Sequence, residues 1–181
     1  MNSKRVLQIL LLILLFVSFA IALQGQEKPS WSVYFSPKGG CTEAVVKELE
    51  KAKSSILVQA YSFTSTPIAK ALLTAHKRGV KVEVILDKSQ RSEKYSSADF
   101  MSNQGIPTKI DTVHAIAHNK VMVIDGETVI TGSFNFTKAA EEKNAENLLV
   151  IRDKSVSARY IENWKVHDGH SEVYRGRGGK P

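Results

Sequence analysis

Two β-branched, apolar runs separated by an Asp-Gly pair constrain the centre of this chain more than any other feature. The runs are Val121–Ile124 and Thr128–Thr131, and the Asp-Gly pair is Asp125-Gly126, directly after the first run. An Asp-Gly step between two such runs is a strong short-range signal for a β-hairpin. The sequence therefore predicts two antiparallel strands joined by a tight turn.

A two-residue loop would fix which residues face each other in this hairpin. Counting back from it places Lys120 opposite Thr131 and His118 opposite Ser133. Because side chains alternate along a strand, His118 and Lys120 share one face, and Asn135 lies just beyond Ser133. The hairpin thus predicts an imidazole, an ammonium group and a hydroxyl on one patch. That patch suits a phosphate, since it offers a group that titrates near neutrality and fixed donors for negative charge.

The spacing of these polar residues resembles the motif of the phospholipase D superfamily. In this chain His-x-Lys is followed by four residues, Asp, six residues, Gly-Ser, and Asn two residues later. The matching residues are His118, Lys120, Asp125, Gly132, Ser133 and Asn135. The resemblance implies a phosphodiesterase whose histidine attacks phosphorus and forms a phosphohistidine.

The resemblance also implies that an acidic residue soon after the Gly-Ser element orients the nucleophilic histidine. Glu146 opens the next predicted strand and is the preferred candidate, because a carboxylate commonly holds the second nitrogen of a functional histidine. Glu141 and Glu142 lie on a short predicted helix and are expected to be solvated surface. The predicted catalytic residues are His118, Lys120, Ser133, Asn135, Glu146 and Asp125.

The motif occurs once in the chain. In family members with two copies, both histidines serve one site: one attacks phosphorus and the other protonates the leaving oxygen. An alkoxide leaves poorly unless it is protonated, and a single His118 cannot fill both roles in one step. The sequence therefore predicts a homodimer in which both subunits contribute to one composite site.

The sequence offers no pattern typical of a metal site or a disulfide. Cys41 is the only cysteine, so an intrachain disulfide is impossible and a buried thiol is expected. The histidines are scattered, and His114 is expected to lie at a strand end or a rim. Lysines and polar groups would offset the charge that Mg²⁺ offsets in many nucleases. We therefore expect neither a cofactor nor a catalytic metal.

Residues 1–22 have the pattern of a signal peptide. Two basic residues precede the almost wholly apolar run Val6–Ile21, and Ala20-Ile21-Ala22 forms a small-x-small cleavage site. The mature domain, residues 23–181, would then be exported, in a bacterium to the periplasm, without stable membrane association. An uncleaved anchor is the alternative, because the apolar run approaches the lower limit for spanning a bilayer.

Beyond that segment, strand patterns alternate with helix patterns. Strands are predicted at Trp31–Ser36, Ser55–Phe63 and Val80–Asp87, and the helices between them are predicted to have Thr42 and Thr66 as their N-caps. This rhythm predicts a one-domain α/β fold. With the resemblance, it becomes a phospholipase D-like sandwich whose mixed, mostly parallel sheet is flanked by helices.

The charge of the mature chain, 23 basic against 18 acidic residues, fits a polyanionic partner. The leading interpretation is a non-specific endonuclease that hydrolyses DNA, with RNA as a further candidate. A lipid phosphodiesterase acting on phospholipid head groups or cardiolipin is the alternative, disfavoured by the short chain and single motif. A non-catalytic DNA-binding module is a third hypothesis, and the intact motif argues against it. The basic stretch Lys88–Ser97 fits either a rim contacting a phosphate backbone or a solvated connection.

Overall fold

The structure is a computed structural model that describes residues 5, 8–9, 11–14 and 29–177. None of the helices among these residues has the length and apolar character needed to cross a membrane. The predicted signal peptide, residues 1–22, lies for the most part outside the described residues. Its cleavage and the export of the domain stay predictions.

From Ser30 onward, strands and helices alternate as the sequence predicts. The strands are β1 (Ser30–Ser36), β2 (Ser55–Ala60), β3 (Lys81–Asp87), β4 (Thr108–Asp111), β5 (Lys120–Ile124), β6 (Thr128–Gly132), β7 (Glu146–Arg152) and β8 (Glu172–Val173). The helices are α1 (Cys41–Lys51), α2 (Thr66–Lys77), α3 (Ala98–Asn103), α4 (Lys138–Glu142) and α5 (Lys154–His170). A 3₁₀ turn, Lys88–Arg91, follows β3.

The strands form one mixed sheet in the order β1-β7-β6-β5-β2-β3-β4-β8. The central strands β2, β3 and β4 are parallel, because α2 and α3 carry the chain back to the same end of the sheet. The remaining neighbours are antiparallel. The predicted mixed sheet is confirmed, but its predicted mostly parallel character is wrong. From β5 to β7 the chain returns through short connections, so successive strands reverse direction.

Helices cover both faces of the sheet. Alternate side chains of β5 separate between the faces: Met122 and Ile124 join the core beneath α1 and α2. Val121 and Val123 instead pack with the apolar side chains of α5. The Trp164 indole N–H of α5 donates to the carbonyl of Val58 in β2 at 3.0 Å. Burial on both faces explains the uninterrupted apolar runs of the central strands.

The predicted β5–β6 hairpin forms, but its register differs by one residue. The Glu127 amide donates to the Ile124 carbonyl at 3.0 Å and closes the turn, yet the ladder pairs Ile124 with Thr128. Glu127 is therefore an additional residue, as in a β-bulge, and its carbonyl accepts the Asp153 amide at 3.0 Å. The predicted pairing of Ile124 with Glu127, and hence the residue expected opposite Lys120, is wrong by one position.

Candidate active site

Lys120 lies at the start of β5, where β2 ends. It pairs with Ala60, its side chain is largely buried with the residue 6% exposed, and its Nζ donates to the His118 carbonyl at 2.7 Å. Burial lowers the pKa of Lys120, and the charges of Glu146 and Asp87 oppose that shift. The ammonium is thus fixed at the backbone of His118, an exposed residue.

Tyr61, directly after β2, contacts both motif side chains. Its ring centroid lies 4.5 Å from that of His118, with the planes tilted by 52°. The Lys120 Nζ lies 4.9 Å from the Tyr61 ring centroid, within the range of a cation–π contact. Tyr61 was not among the predicted site residues. The available signal was its position immediately after a buried strand.

Gly132 explains why the motif requires a glycine before Ser133. Its φ is +140°, and a Cβ at this position would lie 2.3 Å from the Asn147 carbonyl oxygen. This close approach lets the amides of Ser133 and Phe134 both donate to that oxygen at 3.1 Å. Gly132 therefore brings β7 against the motif loop.

The Ser133 hydroxyl is oriented by Asn147. The Asn147 backbone amide donates to Ser133 Oγ at 3.1 Å, and its side-chain amide donates to the same oxygen at 3.4 Å. Because the oxygen accepts these bonds, the hydroxyl proton remains able to donate to a phosphoryl oxygen. Asn147 was also absent from the predicted site, since its role depends on the pairing of β6 with β7.

Asn135 lies between the buried aromatic residues Phe134 and Phe136. Its Oδ1 is buried and lacks a hydrogen-bond partner among the described residues. Buried side-chain polar atoms usually have such a partner. A role for the Asn135 side chain in a functional site would explain why its buried amide oxygen has no partner in the described part of the chain.

Glu146 opens β7 and lies close enough to Lys120 for its charge to raise the pKa of that lysine. Its carboxylate accepts a hydrogen bond from the Asn144 side-chain amide at 3.2 Å. In the described chain Glu146 thus contributes charge at the site and bonds to Asn144. Its predicted orientation of His118 stays a prediction.

Asp125 lies at the opposite end of β5 from Lys120, roughly 16 Å of extended chain away. Its carboxylate accepts the backbone amides of Lys53, Ser54 and Ser55 at 2.8–3.0 Å. Burial raises the pKa of Asp125, but these hydrogen bonds outweigh that effect and hold the pKa below its usual value. Its contacts tie the hairpin turn to the start of β2 and give it a structural role.

Glu141 does not belong to the solvated surface, and the expectation that it would is wrong. Its carboxylate accepts the Gly40 amide at 3.1 Å and the Thr42 amide at 2.6 Å. It therefore satisfies the first amides of α1, and Thr42 is not the side-chain cap that the sequence predicted. Glu142 is exposed, as predicted.

Three histidines surround Asp111, the last residue of β4. They are His114, from the segment after β4, and His167 and His170, from the last turn of α5. The expectation that the histidines are scattered is therefore wrong for these three. In the fold, the end of α5 lies against the end of β4. The only sequence signal of this contact was that Asp111 and His114, like His167 and His170, are three residues apart.

The basic stretch Lys88–Ser97 begins with the 3₁₀ turn, and some of its basic side chains contact other residues of the chain. Arg91 forms an ion pair with Glu172, and the Lys94 ammonium lies 5.3 Å from the centre of the Tyr95 ring. Lys88 is exposed. Of the three basic side chains in this stretch, Arg91 is thus already paired within the chain.

Comparisons with known proteins agree with the motif. A family profile described as "Cardiolipin synthase, PLD-like domain" matches residues 45–166. A phospholipase D of Rickettsia typhi is 47% identical over 143 residues, which cover 79% of this chain and 70% of the relative. A mitochondrial cardiolipin hydrolase of Xenopus tropicalis is 31% identical over 124 residues, which cover 66% of this chain and 59% of the relative. The chain spans 65–70% of the length of the rickettsial relatives.

A solved structure shows the same fold. The phospholipase D family member Nuc from Salmonella typhimurium superposes with a TM-score of 0.79 at 40% identity, covering 82% of this chain and all of that one. The profile, the relatives and the fold agree with the geometry of His118, Lys120 and Ser133. The chain therefore belongs to the phospholipase D superfamily, as a phosphodiesterase with a single copy of the family motif.

Proposed function

We propose that this protein is an exported, homodimeric endonuclease that hydrolyses the phosphodiester bonds of DNA without a catalytic metal. The observation that carries the proposal is the buried Lys120 ammonium bound to the carbonyl of the exposed His118, together with the oriented Ser133 hydroxyl. An exposed site at a sheet end can meet a long polymer, and the excess of 23 basic over 18 acidic residues in residues 23–181 favours a polyanion.

The reaction follows from these groups in two steps. His118 attacks phosphorus, the bond to the leaving oxygen breaks, and the partner's His118 gives that oxygen a proton. Water then attacks the phosphohistidine while the partner's His118 takes the water's proton, and the phosphorus–nitrogen bond breaks. Lys120, Ser133 and Asn135 offset the charge on the phosphoryl oxygens. Each histidine ends in its starting state.

An exposed apolar strip on the edge strand β1 supports the dimer. Trp31, Val33 and Phe35 alternate along one face of this strand and are 72%, 37% and 64% exposed. Phe35 pairs with Asn147, the residue that orients Ser133, so the strip reaches the site. Exposed apolar patches often mark protein interfaces, and a second copy seated here would bring two sites close together. We expect the double variant Trp31→Ser, Phe35→Ser to sediment as a monomer and to lose cleavage of DNA.

A mixed-dimer experiment tests the shared site. Wild-type chain is unfolded with His118→Ala chain, the two are refolded together, and cleavage of DNA is measured at fixed wild-type chain. Because losing general acid catalysis costs about a hundredfold to ten-thousandfold in rate, mixed dimers should be almost silent. Activity should therefore fall in proportion to the wild-type fraction. Constant activity, with mixed dimers confirmed by mass, would show that each His118 works alone.

A substrate comparison tests the nuclease function itself. Cleavage of plasmid DNA and release of head group from phospholipid vesicles are measured in excess EDTA. We expect DNA cleavage to persist and to be abolished by His118→Ala or Lys120→Ala, whereas His76→Ala, a histidine in α2, leaves it intact. Loss of cleavage on chelation that Mg²⁺ restores would contradict the mechanism, and binding of DNA without cleavage would support a non-catalytic module.

Lipid phosphodiester hydrolysis is the second candidate. The segment that leads to His118 exposes Val113 and Ile116, which are 64% and 59% accessible, and such side chains could enter a membrane surface. Several relatives are named phospholipase D or cardiolipin hydrolase. Release of head group faster than DNA cleavage, lowered by Ile116→Ser, would favour this function.

Export is part of the proposal and has its own test. The basic residues, the apolar run and Ala20-Ile21-Ala22 support cleavage after Ala22. We expect terminal sequencing of the periplasmic protein to begin at Leu23. Recovery of Met1 on a membrane-bound product would instead support an anchor and strengthen the lipid candidate.

A further inference from the structure

Four potential metal ligands converge at the junction of β4 and α5, on a set of residues that the phosphodiesterase site does not use. His114 Nδ1, His167 Nδ1 and His170 Nε2 lie 2.9, 2.7 and 3.3 Å from Asp111 Oδ2. The four ligand atoms all lie within 4.8 Å of one another. The Asp111 side chain is fully buried, and that of His114 is 44% exposed, which leaves a route in from solvent.

The cluster places five nitrogens around Asp111, more than one carboxylate can accept hydrogen bonds from. Asp111 Oδ1 already accepts the backbone amides of Val113 and His114 at 3.2 and 3.3 Å. Three imidazole nitrogens bring the number to five, whereas a carboxylate has about four lone-pair sites. At least one ring nitrogen is therefore expected to be unprotonated, with its lone pair directed into the cluster. Inward lone pairs beside a carboxylate are the arrangement that a cation requires.

The chemistry of the four side chains also fits a metal ion, since the set combines one carboxylate with three imidazoles. Metal binding requires ionised carboxylates and neutral imidazoles. Three nitrogens and one oxygen are ligands that zinc accepts in tetrahedral geometry.

We propose that Asp111, His114, His167 and His170 bind one Zn²⁺ ion. Zinc bonds of about 2.0–2.2 Å place neighbouring tetrahedral ligands roughly 3.3 Å apart. The present nitrogen-to-oxygen distances of 2.7–3.3 Å are near that spacing, so small ring rotations suffice. Four protein ligands leave no open position, and the ion would be structural rather than part of the phosphoryl chemistry.

The ion would fasten the segment that carries His118 to the end of α5. This segment starts at Asp111 and is held again where the Ala117 amide donates to Asp87 Oδ2 at 2.7 Å. Beside the cluster, the Lys109 ammonium contacts Asp168 of α5 at 2.5 Å. Zinc would add a strong bond to this weak surface pair and would fix the first half of the segment.

Zinc titration of the untagged, metal-stripped full chain tests the proposal. Calorimetry should give one tight site per chain. His167→Ala and His170→Ala should each weaken binding by at least about a hundredfold, since loss of a mere outer partner of a ligand already costs ten- to a hundredfold. His76→Ala and His118→Ala are the matched controls and should leave that site unchanged. Binding weaker than about 10 μM, or equal affinity in His167→Ala and His76→Ala, would overturn the proposal.

Two readouts on the unmutated chain keep the test decisive if a variant fails to fold. Co²⁺ in the site should give the intense visible absorption of tetrahedral coordination, and X-ray absorption of the zinc form should show nitrogen or oxygen ligands at about 2.0–2.1 Å. Saturating zinc should raise Tm by about 5 °C or more and slow hydrogen exchange at residues 113–117. A weak octahedral Co²⁺ spectrum would overturn the site. None of these readouts depends on nuclease activity.

Discussion

The Lys120 ammonium lies 4.9 Å from the centre of the Tyr61 ring. The same ring lies 4.5 Å, centroid to centroid, from the His118 imidazole. One aromatic side chain from the end of β2 therefore positions the two motif residues that are two positions apart in β5 and the segment before it. This contact links the order of strands in the sheet to the chemistry of the site.

Two replacements of Tyr61 should distinguish the contribution of its ring to turnover from that of its hydroxyl. Cation–π contacts contribute about 0.5–2 kcal/mol, which corresponds to a factor of roughly 2 to 30 in rate. We expect Tyr61→Ala to lower kcat on a phosphodiester substrate by about tenfold, because both His118 and Lys120 lose a neighbour. Tyr61→Phe keeps the ring and should retain most of kcat. Equal losses in the two variants would assign the effect to the hydroxyl.

Removal of the Glu146 charge should move the pH dependence of the reaction. Glu146 raises the pKa of Lys120 against the effect of burial, so Glu146→Gln should lower that pKa further. If turnover needs charged Lys120, the alkaline limb of kcat against pH should shift to lower pH. Glu142→Gln, an exposed change on α4, should leave the limb in place. A shift of the alkaline limb to higher pH would contradict the assignment.

Addition of a methyl group at Gly132 should damage both stability and site geometry. A Cβ there would lie 2.3 Å from the Asn147 carbonyl oxygen at a φ of +140°, so we expect Gly132→Ala to cost about 3 kcal/mol or more in the free energy of unfolding. Gly169, in the last turn of α5, has open space for a Cβ. Gly169→Ala should instead stabilise by about 0.5–1 kcal/mol in the same urea titration.

Loss of the Asp125 charge should destabilise the fold in a pH-dependent way. A carboxyl whose pKa is depressed by folding stabilises the protein above its unfolded pKa, here 3.8, and this contribution is lost as the pH falls through the lower folded pKa. We expect Asp125→Asn to cost about 2 kcal/mol at pH 7. Urea titrations at pH 7 and pH 3 should show the gap to wild type shrink at the lower pH. A gap that grows at pH 3 would contradict this sign.

The local features of the fold were predictable because they depend on neighbouring residues. Continuous apolar runs predicted the central strands, and the Asp-Gly pair predicted the hairpin. The predicted register was wrong by one residue because Glu127 is an additional residue in the turn, where its carbonyl accepts the Asp153 amide. The prediction of a mostly parallel sheet was wrong because local periodicity does not show which strand the chain pairs with after each connection.

The sequence by itself determined the superfamily of the chain through its motif. His118, Lys120, Ser133 and Asn135 lie within eighteen residues, so their spacing alone identifies the family motif. A motif contained in one hairpin needs little of the rest of the chain to be recognised.

The tertiary structure alone decided which distant residues support that motif and which form a second cluster. Tyr61 reaches Lys120 because β2 pairs with β5, and Asn147 reaches Ser133 because β6 pairs with β7. Glu141 meets the start of α1 across about a hundred residues of chain, and α5 brings His167 and His170 to Asp111. Such contacts depend on strand order and helix placement, which are set by burial of the whole core and not by any local spacing.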